Sequence, residues 1–154
     1  MSKINDEPLA VAGYENNKVE SYKFETDTWT GLDDYPYHDK LEYYATVSTN
    51  QGAFIIGGRM DSSNYVSTIA CFNGNEWSLI GNLNSPRAGH SAIINGDNVF
   101  IVGGYPNDLP TEIWSVKENE LYLHLAEPDL YEYGYYPELF LVDLDSCTGN
   151  QTIV

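Results

Sequence analysis

At 154 residues the chain suits one ordinary domain, and its 42% hydrophobic and 14% aromatic content, with 13 tyrosines, is that of a folded protein. Seven basic against 23 acidic residues give a formal charge of −16, which repels phosphate backbones and anionic lipid and so excludes nucleic acid and membrane as partners. A basic partner is the direct functional inference from that charge, and solubility is the plainer one.

In chain order, LAVAGY at Leu9–Tyr14 reads as a strand ending in Ala12-Gly13. It is followed by the strand VESYKF, a turn at ETD, and the strand TWTGL. After the polar stretch DDYPYHDK comes LEYYATVSTNQGAFIIGG: a strand, a hairpin-like turn containing Gly52, and an apolar run into Gly57-Gly58. A polar loop, RMDSSNYV, leads to the strand STIACF, a turn at NGN, and the strand EWSLIG. The same order returns in RAGHSAIINGDNVFIVGG, with Gly96 in the turn and Gly103-Gly104 at the end. YPNDLP, TEIWSV, a turn at KEN and ELYLHL follow. The last residues, LFLVDLDSCTGNQTIV, begin the template once more, with Gly149 in the turn. Only Asp129–Glu132 invites a helical turn. No apolar run reaches the roughly 18 residues of a membrane helix. Residues 1–10 lack the apolar stretch of a secretory signal, which leans towards a cytoplasmic location.

Gly13, Gly58 and Gly104 stand 45 and 46 residues apart. A second marker keeps the same period: Trp29, Trp77 and Leu121 each lie five residues after Phe24, Phe72 and Val116. Each repeat holds four short strands, a to d, and strand b is the continuous apolar run expected of a strand buried on both faces. Four antiparallel strands repeated at this interval predict an all-β chain, a partial β-propeller of about three blades. The units fall roughly at 8–38, 39–84 and 85–127, with an incomplete one over 128–154.

These residues resemble the kelch-repeat family. The best copy is Arg87, Gly89, His90, Gly103 and Gly104, then Trp114, and the copy before it supplies Gly57, Gly58, Phe72 and Trp77. The resemblance spans about three units and marks Gly13, Gly57, Gly58, Gly103, Gly104, Trp29, Trp77, Arg87 and His90 as structural positions. There are departures: Ala12-Gly13 replaces a glycine pair, Leu121 a tryptophan, and YYPELFLVD lacks both arginine and histidine. Three units fall short of the four to eight of a closed ring. Two solutions follow: a longer parent chain, which is favoured, or a six-bladed homodimer. In the dimer, Leu139–Val142 of one copy would complete the blade that Leu9–Gly13 begins in the other.

No residue reads as catalytic, and no cofactor or metal is expected. His90 is expected to bond neighbouring backbone inside its blade. His38, near Asp33, Asp34 and Asp39, reads as part of a solvated acidic loop, and Cys71, inside a strand, as a small buried hydrophobe. Cys71 and Cys147 form neither a metal spacing nor a disulfide framework.

The resemblance implies that the loops after strand b and those between d and the next a share one face and bind a protein or peptide partner. Those loops are Tyr14–Asn17, Arg59–Tyr65 and Tyr105–Leu109, and Asp33–His38, Asn82–Arg87 and Glu127–Tyr136. They offer Tyr35, Tyr37, Arg59, Tyr65, Tyr105, Tyr131 and Tyr133 as contact area and Asp33, Asp34, Asp108, Glu127 and Asp129 as charge, a mixture suited to a basic peptide. For DLYEYGYYPE the alternative is a degenerate strand a packed on a neighbouring blade. The rival function is half of a propeller enzyme, of sugar-oxidase or sialic-acid-mutarotase type, with catalytic residues in other blades.

Overall fold

The computed structural model describes residues 7–13, 16–106, 109–117 and 120–125, together with Pro137, Leu139 and Leu141. Eleven strands form three meanders among these residues. The first sheet is β1 (Leu9–Gly13), β2 (Asn16–Lys23) and β3 (Thr28–Gly31). The second is β4 (Ala45–Thr49), β5 (Gly52–Ile56), β6 (Thr68–Phe72) and β7 (Trp77–Asn82). The third is β8 (Ser91–Asn95), β9 (Asn98–Val102), β10 (Glu112–Lys117) and β11 (Glu120–Leu125). All neighbours are antiparallel and in sequence order, so the chain folds as a partial β-propeller. The first sheet holds strands b, c and d. The expected helical turn and the unit over 128–154 lie outside the described residues, Pro137, Leu139 and Leu141 excepted.

Period-2 alternation sends each middle strand to two cores. From β5, Phe54 and Ile56 face the third sheet, while Ile55 faces the first. On β6, Ile69 and Cys71 go one way and Ala70 the other. Val47, Leu83, Val99, Ile101 and Trp114 complete the core between the second and third sheets. Val11, Val19, Tyr35, Leu41 and Val66 complete the one between the first and second. Each fully buried Val, Leu or Ile contributes about 1.5–3 kcal/mol, so sandwiching β5 between two sheets holds the three together. Cys71 lies in this packing, and burial pushes its thiol up to about 11, as suits a small hydrophobe rather than a nucleophile.

The hairpin β4–β5 closes Thr49 on Gly52, so Asn50 and Gln51 make the turn and Gly52 opens the strand. The expectation of Gly52 as the turn residue is therefore corrected. Its need for glycine comes from close approach, since a Cβ there would stand 2.3 Å from the Phe72 carbonyl oxygen. Gly96 does sit in its turn, between Asn95 and Asn98, at φ +59°. Trp77 packs on Phe72 and Tyr35, at ring-centroid distances of 5.0 Å to each. Trp29, its counterpart in the first sheet, is 51% exposed beside Tyr22.

Candidate interaction face

The segments entering β4 and β8 superpose by a shift of 46 residues, because Ala45 pairs with Ile56 as Ser91 pairs with Val102. Leu41, Glu42, Tyr43 and Tyr44 therefore occupy the places of Arg87, Ala88, Gly89 and His90. Tyr43 takes φ +54° where Gly89 takes +65°, a conformation that costs an L-residue about 1–2 kcal/mol. These segments cross the ends of the b strands and knit neighbouring loops into one backbone-bonded surface. Glu42 and Arg59 exchange N–H···O bonds of 2.9 and 2.8 Å, and Ala88 and Tyr105 exchange bonds of 3.1 and 2.8 Å. The Gly89 N–H donates to the Tyr43 carbonyl at 2.8 Å, and the Gly58 N–H to the Arg87 carbonyl at 2.8 Å, joining the second sheet to the third.

Six side chains gather on this surface. The Arg59 guanidinium carbon lies 4.3 Å from the Tyr43 ring centroid, and its Nη2 is 3.4 Å from Glu42 Oε2. The Tyr65 and Tyr105 rings are 5.2 Å apart. Asp61 accepts the backbone N–H of Ser63 and Asn64 at 2.8 and 3.0 Å and folds the Arg59–Tyr65 loop around itself. Those bonds hold its carboxyl below the usual range. The arrangement presents aromatic faces, the Arg59 cation and the Glu42 and Asp61 carboxylates on one frame, and aromatic and arginine side chains are the types that carry binding energy at protein interfaces.

The expected site residues divide. Arg59, Tyr65 and Tyr105 come together. Asp33 is exposed elsewhere, and Asp34 is joined to Lys18 at 2.7 Å. Tyr35 is corrected: at 1% exposure it belongs to the core between the first two sheets and offers a partner nothing. The chain continues β3 alongside β2, with the Leu32 N–H on the Val19 carbonyl and the Tyr35 N–H on the Asn17 carbonyl, both at 2.8 Å. That path carries the Tyr35 ring between the sheets, where burial raises the phenol pKa well above its ordinary value. Tyr37 is half-buried beside it, and the half-buried His38 has its Nε2 3.1 Å from Thr68 Oγ1. Asp108, Glu127, Asp129, Tyr131 and Tyr133 lie outside the described residues. Tyr43 and Glu42 were not anticipated, and their register with Gly89 and Ala88 was the signal that could have found them.

Beneath this surface lies a buried ion pair. Arg87 Nη2 donates to Glu112 Oε1 at 2.7 Å, with both side chains fully buried. Arg87 also donates to the Gly103 and Ser85 carbonyls, each at 3.3 Å. The carboxylate accepts the N–H of Asn84 at 2.9 Å and of Ser85 at 3.2 Å, so both charges are hydrogen-bonded on several sides. His90 packs against the glycine pairs and interacts with the Ile56 backbone of the neighbouring sheet, although neither ring nitrogen has a hydrogen bond of good geometry. A Cβ on Gly57 would stand 2.8 Å from its Cε1. Burial first, then the Arg87 charge, pull its pKa to about 3 against a weaker opposite pull from the Ile56 backbone, so the ring is neutral.

No family model matches the chain. It is 29% identical over 114 residues to Ras guanine nucleotide exchange factor F of Dictyostelium discoideum, covering 70% of this chain and 10% of that protein. It is 27% identical over 85 residues to alpha-scruin of Limulus polyphemus, covering 54% of this chain and 9% of that protein. The chain thus spans about a tenth of the length of these curated relatives. The solved structure of YjhT superposes with a TM-score of 0.52 at 21% identity, over 58% of this chain and 27% of that one. Together with the three meandering sheets, these likenesses support a kelch-like fold.

Proposed function

We propose that this chain is a non-enzymatic interaction module of kelch-repeat type that binds a protein or peptide through the face built by Tyr43, Arg59, Tyr65 and Tyr105. The observation that carries this reading is the convergence of those side chains from two loops and a crossing segment onto a surface whose backbone is already hydrogen-bonded. A preformed aromatic surface loses little conformational freedom on binding, so contact area is converted into affinity with small ordering cost. The formal charge of −16 steers a basic segment towards the chain and makes its association salt-dependent. The likeness to the YjhT structure speaks for the fold and not for an activity.

The test is selection of peptides from a random phage-displayed library on the purified chain, followed by fluorescence anisotropy of the recovered peptides. The double variant Tyr65→Ala/Tyr105→Ala should weaken them at least tenfold, and Asp34→Asn should leave them within twofold. Peptides that hold the double variant as tightly as the parent would place the binding surface elsewhere.

A further inference from the structure

In the second and third sheets, strand b is flanked by strand a, and a crossing segment closes over the second glycine of the pair. A Cβ on Gly58 would meet the Glu42 oxygen and Leu41 Cδ1 at 2.9 Å, and one on Gly104 would meet the Ala88 oxygen at 2.9 Å. At Gly13, the equivalent glycine of the first sheet, a Cβ would find nothing within 4 Å. Among the described residues, nothing occupies here the space that is filled in the other two sheets.

Among the described strands, the edge of β1 beside it has no neighbour. The Tyr22 N–H donates to the Pro8 carbonyl at 2.9 Å, which makes Pro8–Tyr22 a hydrogen-bonded pair. By antiparallel alternation Leu9 and Val11, opposite Ser21 and Val19, turn their N–H and C=O groups away from β2. The Val19 carbonyl agrees, since it accepts from Leu32 on the other side. At the matching positions of the other sheets, Phe54 and Ile56 face β4, and Phe100 and Val102 face β8. Among the described residues the β1 edge has one partner of this kind, the Tyr44 hydroxyl on the Val11 carbonyl. A cavity of about 750 Å³ lies along this edge, walled by Leu9, Val11 and Gly13 on one side and by Leu41, Tyr44 and Thr46 on the other.

One carboxylate identifies what the slot would take. Glu112 lies opposite Ile101, two residues before its glycine pair, and Glu20 lies opposite Ala10, two residues before Ala12-Gly13. Glu20 therefore stands where Glu112 receives Arg87, but on the exposed surface. We propose that the β1 edge is a receptor for an extended segment of a partner protein. The segment adds antiparallel to Leu9 and Val11 and carries an arginine, about four residues before its strand, that pairs with Glu20. Backbone bonds from the added strand would supply affinity and the arginine the selectivity, as in other strand additions. This chain's own Leu139–Val142 brings no arginine in the residues before it, which favours a separate arginine-bearing segment over a second copy.

The chain itself provides the probe, a synthetic peptide of its residues 84–95, NSPRAGHSAIIN, whose arginine already serves Glu112. Titrated into the full chain by calorimetry, it should bind saturably at one site. Glu20→Ala should weaken binding at least fivefold, as should arginine-to-alanine in the peptide, and combining the two should cost no more than either alone. Glu20 is exposed, so the variant should melt with the parent, and this is checked first. Absence of binding, or binding indifferent to both changes, overturns the proposal. Concentration-dependent dimerisation that the peptide cannot reverse overturns the choice of occupant and assigns the slot to a second copy. Loss of the phage-selected peptides in Tyr65→Ala/Tyr105→Ala, with this titration unchanged, keeps the two surfaces distinct.

Discussion

The junction between the first and second sheets and that between the second and third are built on one plan with opposite chemistry. At one, Leu41 and Ala70 meet behind the glycine pair; at the other, Arg87 and Glu112 take those places, and all four side chains are 0% exposed. Both solutions fill the same space. Leu41 and Ala70 bring no polar side-chain atom to the apolar one, so that contact needs no precise geometry. The ionic one takes two charges out of water and is balanced by the contacts to Gly103, Ser85 and Asn84. What it adds is directional: Glu112 ties down the loop leading into β8, and Arg87 links that loop to β9 and β10. The contrast separates filling a blade junction from fixing the path of the chain across it.

The largest effect should come from breaking the ionic junction on one side. Glu112→Ala leaves a buried guanidinium and two backbone N–H groups without their acceptor, and should destabilise by about 3–5 kcal/mol in urea unfolding. Arg87→Leu should cost a similar amount. The double variant Arg87→Leu/Glu112→Ala rebuilds the apolar junction and should lose at least about 2 kcal/mol less than the sum of the singles. Strict additivity would show that the pair makes no joint contribution.

A smaller, pH-gated difference attaches to His90, whose counterpart at the apolar junction is Tyr44. The native ring titrates near 3 and an unfolded histidine near about 6.5, so between those values the unfolded chain holds a proton that the native chain refuses. The contribution is complete above about pH 6.5 and declines as pH falls, by up to about 1.4 kcal/mol per unit, or roughly 2 kcal/mol by pH 5. His38, whose pKa is also lowered by burial, adds a decline of the same sign. Urea midpoints from pH 7 to 5 should fall steeply for the parent and for His38→Gln, and much less for His90→Gln. Equal slopes in all three would mean that His90 takes up its proton as readily in the folded chain as in the unfolded one.

The strands were legible because each carries its evidence locally: alternation on the outer strands, a continuous apolar run on β5 and β9, glycines at fixed intervals. The junctions were not. That Glu112 meets Arg87 depends on register between β9 and β10, and nothing near Glu112 in the chain marks it among 23 acidic residues. Tyr35 shows the opposite failure. The stretch DDYPYHDK has the composition of a solvated loop, yet it continues along β2 and feeds one ring into a core. The face at Arg59, Tyr65 and Tyr105 was half legible, since loops after strand b can be read from the repeat. Tyr43 was hidden because a tyrosine stood where the best-matched copy has glycine.

The smallest effect concerns that repeat at its weakest copy. Ala12 adopts φ +47°, where the matching Gly57 and Gly103 adopt +58° and +70°, so the first unit keeps the backbone of a glycine pair with a residue unsuited to it. Relief of the left-handed strain in Ala12→Gly is worth about 1–2 kcal/mol. Against it stand the greater freedom of glycine in the unfolded chain, about 0.4–1 kcal/mol, and part of a methyl group packed on the first core. The balance should be a gain of about 0.5 kcal/mol. The reverse change, Gly57→Ala, has both strain and space against it, because its Cβ would stand 2.8 Å from the Arg87 carbonyl oxygen and from His90 Cε1. It should destabilise by at least about 2 kcal/mol. If both substitutions moved the melting temperature in the same direction, the two glycine-pair positions would not be equivalent, and the register that places Glu20 opposite an open slot would need to be drawn again.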